Sequence, residues 1–394
     1  MKRRKICAVT GSRAEYDLLV PLLKMIDADA DLRLQLVVTG MHLSPAFGLT
    51  VRGMEADGLV VERTCDMLLS SDTPVGVTKS MGVGMIGFAD IFDDLRPDMV
   101  LVLGDRFEIF AAAAAAFMAG IPVAHLHGGE ITEGALDEGL RHAITKMSHL
   151  HFTSTESYRQ RVIQLGEDPD CVFNVGAVGV ENIRNTQFPG RQALEKRIGF
   201  DLRQPFLIVT YHPETVALAN TLADARHLLE SLEDLEDIRI IFTGSNADAR
   251  GRAMNRLIRE FVDDHHDRSV FFESMGQHAY LGAARFAAAV VGNSSSGIIE
   301  IPSLGVPTVN IGGRQKGRIR AHSVIDCPPR KEAIQNSIRQ ALSEEFKQTL
   351  EDVRNPYEQA DTKDRIRMVL KTADLASIRQ KSFHDLAVDA TDRE

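Results

Sequence analysis

Residues 98–106 read DMVLVLGDR, residues 121–130 read IPVAHLHGGE, and residues 137–142 read DEGLRH. Asp98–Leu103 and Ile121–Leu126 are apolar runs of the kind that fill a parallel sheet buried on both faces. An Ala-rich helix around Ala111–Ala116 joins them, as a parallel crossover requires. In an open α/β sheet the residues just past the carboxyl ends of the strands line the ligand crevice. That rule brings Asp105, His125, His127 and Glu130 to one edge, with Asp137 on the next loop. So many ionisable side chains on one concave edge point to acid/base chemistry rather than packing.

The same alternation runs outward from this stretch in both directions. Lys5–Thr10, Leu34–Thr39, Leu59–Arg63, Leu150–Thr153 and Val172–Val175 complete one set of strands. Phe206–Tyr211, Arg239–Thr243, Ser269–Phe272, Ala288–Val291 and Thr308–Ile311 make a second. A Thr153-x-x-Glu156 capping box predicts a helix over Ser157–Leu165. Periodicity weakens over Ala177–Pro205, where Gly, Asn and Pro gather, so the boundary falls there: one domain over 1–180 and another over 181–357. A further amphipathic helix is expected from about Thr362 to Arg379, followed by a polar tail to residue 394. The expected fold class is α/β, with two Rossmann-like doubly wound domains facing each other across a ligand crevice.

Bulk properties narrow the function. A chain of 394 residues suits two ordinary domains. With 45 basic and 55 acidic residues the net charge is −10, which argues against nucleic acid as a partner. Any positive charge for an anionic ligand must be local, and Arg314, Lys316, Arg318 and Arg320 form the densest cluster. Cys7, Cys65, Cys171 and Cys327 stand alone, which suggests neither a disulfide framework nor a Cys zinc site. Met1–Lys5 resembles the start of a signal sequence, but the apolar run behind it is only Ile6–Val9. No stretch approaches transmembrane length, and the expectation is a cytoplasmic protein with no membrane partner.

Three further motifs face the same crevice. Thr10–Glu15 sits where the first strand turns into a helix; Gly11 admits a close ligand, and the turn serves equally well as plain structure. It is not G-x-G-x-x-G, so an ordinary dinucleotide fold has little support. Gly292-Asn293-Ser294-Ser295-Ser296-Gly297 follows a strand and opens a helix, crowding hydroxyl and N–H donors as a phosphate cradle does. The same residues also make an ordinary helix cap. Glu300, one turn on, suits the cis diol of a ribose, and Arg314 and Arg318 add cations for a diphosphate. His212 closes the first strand of the second half and faces the first-half carboxylates. His125-x-His127-x-x-Glu130 also invites a zinc reading, since alternate strand residues share a face. The spacing is not H-E-x-x-H, no second cluster supports it, and proton transfer explains the same residues with no metal.

Taken together, these pieces resemble the UDP-N-acetylglucosamine 2-epimerase family, and most closely its hydrolysing branch, which makes N-acetylmannosamine for sialic acid. The motifs span nearly the whole chain, from Thr10–Arg13 through Gly104–Arg106, His125–Glu130, Asp137–His142, His212–Glu214 and Gly292–Glu300 to Arg314–Arg318. The resemblance implies two Rossmann-like domains in a glycosyltransferase-B arrangement, the active site between them, and a final helix (about 358–380) returning to the first domain. It implies that Arg13, Ser294, Ser295, Ser296, Gly297, Glu300, Arg314 and Arg318 hold UDP. It implies that Asp105, Asp137 and His212 surround the sugar, with His42, Arg106, His125, Arg141 and His142 as further sugar contacts. It also implies UDP-N-acetylglucosamine and UDP as ligands, no cofactor, and a homodimer or homotetramer. One departure matters: many members carry Glu at the third position of His-x-Glu-Gly, where this chain has His127, with Glu130 three residues on. Either residue is a candidate for proton transfer.

The chemistry suits these residue types. No carbonyl acidifies C2 of the sugar, so inversion there needs loss of UDP from C1 with loss of the C2 proton, giving a glycal-like intermediate. Water then adds at C1 while a proton returns to C2 from the other face. Two faces require at least two proton-transfer groups, each contributing about 10²–10⁴-fold. Asp105 and Asp137 are the expected pair, with His127 or Glu130 beside them and His212 stabilising charge. Rival readings are the same chemistry on a UDP-2,4-diacetamido-2,4,6-trideoxyhexose, a UDP-sugar glycosyltransferase, and a silent nucleotide-sugar sensor.

Overall fold

The expected strands pair into two separate parallel sheets. The computed structural model describes residues 3–69, 71, 73–133, 135–214, 221–244 and 251–386. The first sheet contains β1 (Arg4–Thr10), β2 (Leu32–Thr39), β3 (Val61–Cys65), β4 (Met99–Leu103), β5 (Val123–Leu126), β6 (Leu150–Thr153) and β7 (Val172–Asn174), ordered β3-β2-β1-β4-β5-β6-β7. The second contains β8 (Phe206–Thr210), β9 (Arg239–Thr243), β10 (Ser269–Phe272), β11 (Ala289–Gly292), β12 (Thr308–Ile311) and β13 (Val324–Cys327), ordered β10-β9-β8-β11-β12-β13. Counted from its own first strand, the second sheet repeats the order of the first. In each, the order reverses beside the first strand, between β1 and β4 and between β8 and β11. That reversal opens a crevice at the carboxyl ends, where ligands bind in such folds.

The inner strands are largely apolar because helices cover both faces. Ile6, Ala8, Leu101 and Leu103 join one buried cluster, while Cys7, Val9, Val100 and Val102 join the cluster on the opposite face. In the second sheet Leu207 and Val209 divide in the same way from Phe206 and Ile208. The Ala-rich helix spans Phe107–Met118, and its small side chains let the helix Pro74–Leu95 lie close: a Cβ at Gly84 would sit 3.4 Å from that of Ala111.

The helix Thr362–Thr372 packs on the first domain, with Ile366 and Leu370 fully buried in its core. Arg4 donates to the Leu370 carbonyl at 2.7 Å, and Arg367 and Lys371 pair with Asp29 at 2.5 and 3.1 Å. The expected run to Arg379 is broken after Thr372, and Asp374 caps a new short helix, Leu375–Ile378. Lys381 then reaches the Lys146 carbonyl at 2.7 Å; the end of the expected polar tail, residues 387–394, lies outside the described residues.

Three expectations need correction. The helix Glu156–Gln164 is capped by Thr155, whose hydroxyl accepts from the Tyr158 N–H at 3.3 Å, not by Thr153. Thr153 still lies in β6, where its hydroxyl donates to backbone carbonyls. The edge strand β13 carries polar Asp326 and escaped the apolar-run test. Finally, Pro74–Leu95 is long and apolar enough to cross a membrane by length and composition. Its Phe88, Ile91, Phe92 and Leu95 are buried against the first sheet, while Val75, Val83, Met85 and Ile86 are exposed.

Gly292 ends β11 at φ +135°, and a Cβ there would overlap the Thr210 carbonyl oxygen on β8. Gly292→Ala is expected to destabilise the fold by at least about 1–3 kcal/mol, the usual cost of such backbone strain. A clear drop in the urea midpoint, with loss of folding as the extreme, checks this.

Candidate active site

The crevices of the two sheets face each other and enclose one cavity. Its first-domain wall includes Ser12, Glu15, Asp105, Arg106, His127, Glu130, Thr132, Asp137 and Arg141; its second-domain wall includes Ser295, Ile299, Glu300, Arg314, Gln315 and Arg318. The switch-point geometry thus gathers loops that lie far apart in sequence.

Arg141, on the helix Asp137–Met147, is only 1 % exposed and organises the first wall. Its Nε donates to Asp105 Oδ2 at 2.7 Å, and Nη2 contacts the same oxygen. Nη1 donates to the Glu130 carbonyl at 2.8 Å and to Glu138 Oε2 at 2.9 Å, and Nη2 also reaches Thr132 Oγ1 at 2.7 Å. Burial works against the guanidinium's charge, but Asp105 and Glu130 outweigh it and raise its pKa. Glu138 is likewise opposed by burial, yet His142, the Thr132 N–H and Arg141 carry it down to about 2.

Glu130 is 2 % exposed. Its Oε1 receives His127 Nδ1 at 2.8 Å and Ser154 Oγ at 2.9 Å, and its Oε2 is ion-paired with Arg318 of the second domain. Arg318, expected on a diphosphate, is therefore engaged by a first-domain carboxylate. Gly129, at φ +79°, leaves no room for a Cβ against the Tyr158 carbonyl, which packs this loop tightly on the helix Glu156–Gln164. On the far wall, Glu214 Oε1 accepts from the N–H groups of Gly313 and Arg314 at 2.7 and 3.1 Å. Arg314 Nη1 and Gln315 Nε2 both donate to the Asn293 carbonyl, at 3.1 and 2.9 Å.

Several expected contacts do not line the cavity. His125 is fully buried on β5, with Nε2–H donated to the Gly104 carbonyl at 2.8 Å and Nδ1 facing Thr145 Oγ1 at 3.2 Å; burial holds its pKa down to about 3. The two histidines do not share a face, because His127 lies beyond the strand at φ +66°. Among the described residues no three His, Cys, Asp or Glu side chains form a metal-holding group. His42 is buried between Thr10 Oγ1 at 3.1 Å and Thr50 Oγ1 at 2.7 Å, and His142 stands behind Glu138 at 3.1 Å. Arg13 is half exposed and pairs with Asp17 at 3.3 Å. His212 has its backbone pinned by the Asn293 side chain at 2.7 and 2.9 Å. Ser294 caps the short helix Ser295–Ile299, its Oγ accepting from the Ser296 N–H at 3.4 Å. Gly297 faces β12, where a Cβ would meet Thr308 Cγ2 at 2.8 Å, so it serves close packing. Ser295 is the member of that loop on the cavity wall.

The sequence reading overlooked Glu15, Thr132, Glu138, Ser154, Asn293 and Gln315. Glu138 carried a usable signal, since it stands three and four residues before Arg141 and His142 on one helix face. Glu15 lies inside a motif already singled out. It is 6 % exposed and accepts from the Gly11 N–H at 3.0 Å. Burial, with the neighbouring Glu108, pushes its pKa up to about 8.

Comparison with known proteins agrees with this geometry. The sequence profile described as UDP-N-acetylglucosamine 2-epimerase matches residues 24–371. The chain belongs to the UDP-N-acetylglucosamine 2-epimerase family. It is 40 % identical to a Campylobacter jejuni protein named GDP/UDP-N,N'-diacetylbacillosamine 2-epimerase (hydrolyzing), over 98 % of this chain and 100 % of that one. It is 42 % identical to the Escherichia coli polysialic acid biosynthesis protein P7, over 90 % of each. Among solved structures, a putative UDP-N-acetylglucosamine 2-epimerase from Listeria monocytogenes superposes with a TM-score of 0.80 at 19 % identity, covering 98 % of this chain and 100 % of that one. The two parallel-sheet domains are the Rossmann-like pair of a glycosyltransferase-B arrangement, and the chain is a UDP-sugar 2-epimerase of the hydrolysing kind.

Glu15 makes stability depend on pH. Its folded-state pKa, about 8, lies above the ordinary 4.5, so the folded protein keeps a proton that the unfolded chain releases. That contribution is complete below the unfolded pKa and is lost as pH rises through the folded one. Glu15→Gln is expected to flatten the fall in melting temperature across this window, as thermal melts at a series of pH values would show.

Proposed function

We propose that the protein converts UDP-N-acetylglucosamine to N-acetylmannosamine and UDP. Elimination of UDP gives a glycal-like intermediate, and hydration follows with inversion at C2. The observation that carries this reading is the division of labour across the cavity. One wall carries carboxylates and an imidazole, Asp105, Asp137, Glu130 and His127, and the other carries Ser295, Glu300 and Arg314. Asp105, Asp137 and His127 of the first set suit proton transfer at the two faces of C2. The second suits a nucleoside diphosphate, whose developing negative charge on departure is stabilised by fixed donors. In this reading Glu300 takes the ribose hydroxyls, Arg314 and Ser295 take the diphosphate, and Asp105 and Asp137 face the sugar. None of these steps calls for a redox cofactor or a metal ion.

A second reading keeps the chemistry and changes the sugar. The full-length likeness to the Campylobacter jejuni protein favours a 2,4-diacetamido-2,4,6-trideoxyhexose donor, whereas the description of the matching family favours N-acetylglucosamine.

The test incubates EDTA-treated protein in D₂O with each sugar nucleotide and follows proton NMR. Release of UDP together with a free sugar inverted and deuterated at C2 is the expected result, and the faster donor names the substrate. UDP release that needs an added acceptor would instead indicate a glycosyltransferase. Asp105→Asn and Asp137→Asn are each expected to lower kcat by about 10²–10⁴-fold. Near-normal turnover in both folded variants would overturn their assignment.

A further inference from the structure

Glu130 and His127 were both open as proton-transfer groups, and their surroundings separate them. Both Glu130 oxygens are taken, Oε1 by His127 Nδ1 and Ser154 Oγ, Oε2 by Arg318. Burial, the largest influence on this carboxyl, pushes its pKa up, but Arg318 and His127 outweigh it and hold it below the usual range. Glu130 thus stays a carboxylate with no proton to give and no oxygen turned to a ligand. His127 is the reverse case. Its Nδ1 is committed to Glu130, while Nε2 is buried at the cavity wall and has no hydrogen-bond partner among the described residues. Its backbone, at φ +66°, adopts a left-handed conformation unusual for a side chain other than glycine, and a hydrogen bond from its N–H to the Phe152 carbonyl at 2.9 Å holds it there. Strain of this kind gathers at functional sites.

We propose that His127 is a catalytic base of this enzyme, its Nε2 taking the C2 proton, and that Glu130 is a positioning residue acting through it, secured by Arg318 from the second domain. The proposal rests on the epimerase reading above. With Nδ1–H donated to Glu130, the neutral imidazole carries its lone pair on Nε2. In the elimination the C2–H bond breaks and its proton passes to Nε2. The electron pair left behind forms the C1=C2 bond, and the C1–O bond to the diphosphate breaks with its pair leaving on UDP. The imidazolium so formed sits against an ionised Glu130, the arrangement by which a carboxylate orients and supports a catalytic histidine. The proton transfer at the other face of C2 is left to Asp105 and Asp137. Arg318 crosses between domains to reach Glu130, so the second domain contributes to the setting of the base.

Four variants, one of them double, and one spectroscopic signature test this. His127→Asn suits the left-handed backbone and is expected to lower kcat by about 10²–10⁴-fold, the span of a lost proton-transfer group, with UDP affinity by calorimetry unchanged. Glu130→Gln is expected to lower kcat as well, and the double variant to be no slower than His127→Asn alone, since a group acting through another adds nothing once that other is gone. In wild-type protein, ¹⁵N NMR is expected to find the His127 proton on Nδ1. Arg318→Met is expected to lower kcat and leave UDP affinity intact. A His127→Asn enzyme with near wild-type turnover, or a proton found on Nε2, overturns the assignment of the base. Loss of UDP affinity in Arg318→Met without loss of kcat returns Arg318 to the diphosphate. If wild-type protein releases UDP from neither sugar nucleotide, the epimerase reading itself fails, and the His127 tautomer still decides the geometry.

Discussion

A guanidinium 1 % exposed cannot be left uncompensated, and the first-domain wall is arranged around that constraint at Arg141. Stripping a partner from a buried ion pair costs about 3–5 kcal/mol, so Arg141 compels its neighbours to converge. Asp105 comes from the end of β4, the Glu130 carbonyl and Thr132 from the loop after β5, and Glu138 from the first turn of Arg141's own helix. Three segments with no reason to meet in an extended chain thereby become one rigid surface. Rigidity of this kind is what a proton-transfer site needs, because small misplacements of the reacting atoms are costly in rate.

The second constraint couples the two domains. Arg318 supplies the counter-charge for Glu130, and the same segment docks through main-chain contacts: the Glu133 N–H donates to the Lys316 carbonyl at 3.1 Å, and the Ile319 N–H to the Tyr158 hydroxyl at 3.0 Å. Tyr357, from the segment that returns toward the first domain, completes the junction by bonding Tyr158 at 3.0 Å and the Ile319 carbonyl at 2.8 Å. Gly317, at φ +91°, lies so close to Ile131 that a side chain would collide with it. The two walls of the cavity are therefore joined by direct contacts between the domains. Loss of the second domain's cation would strip the buried Glu130 of its ion-paired guanidinium, which ties the electrostatics of one domain to the position of the other.

Much of the architecture was legible because it rests on short-range pattern. Largely apolar runs bounded by helices identified the strands of both sheets except β13, whose outer position and polar Asp326 hide it. Alternating strands and helices implied parallel sheets, and the rule that ligands bind beyond strand ends brought the right loops to the cavity. Where the reading failed, a local rule met a competing neighbour. The capping box named Thr153, but Thr155 sits one residue before the helix with its hydroxyl on the Tyr158 N–H. Gly297, read as part of a phosphate cradle, also makes the close contact that seats its helix on β12.

By itself, then, the sequence determined the fold class, the crevice and the inventory of ionisable groups, because strand periodicity and the chemistry at strand ends depend on residues a few positions apart. Only the tertiary structure decided which groups face a ligand and which are spent on one another. His125 and His127 are two residues apart, yet one is sealed between the Gly104 carbonyl and Thr145 while the other presents Nε2 at the cavity wall. Glu130 and Arg318 are 188 residues apart, and nothing local to either announces the pair. The physical reason is common to both cases. A buried ionisable group takes its protonation state and orientation from whatever charge or dipole the fold places a few ångströms away, and the chain order does not contain that neighbour.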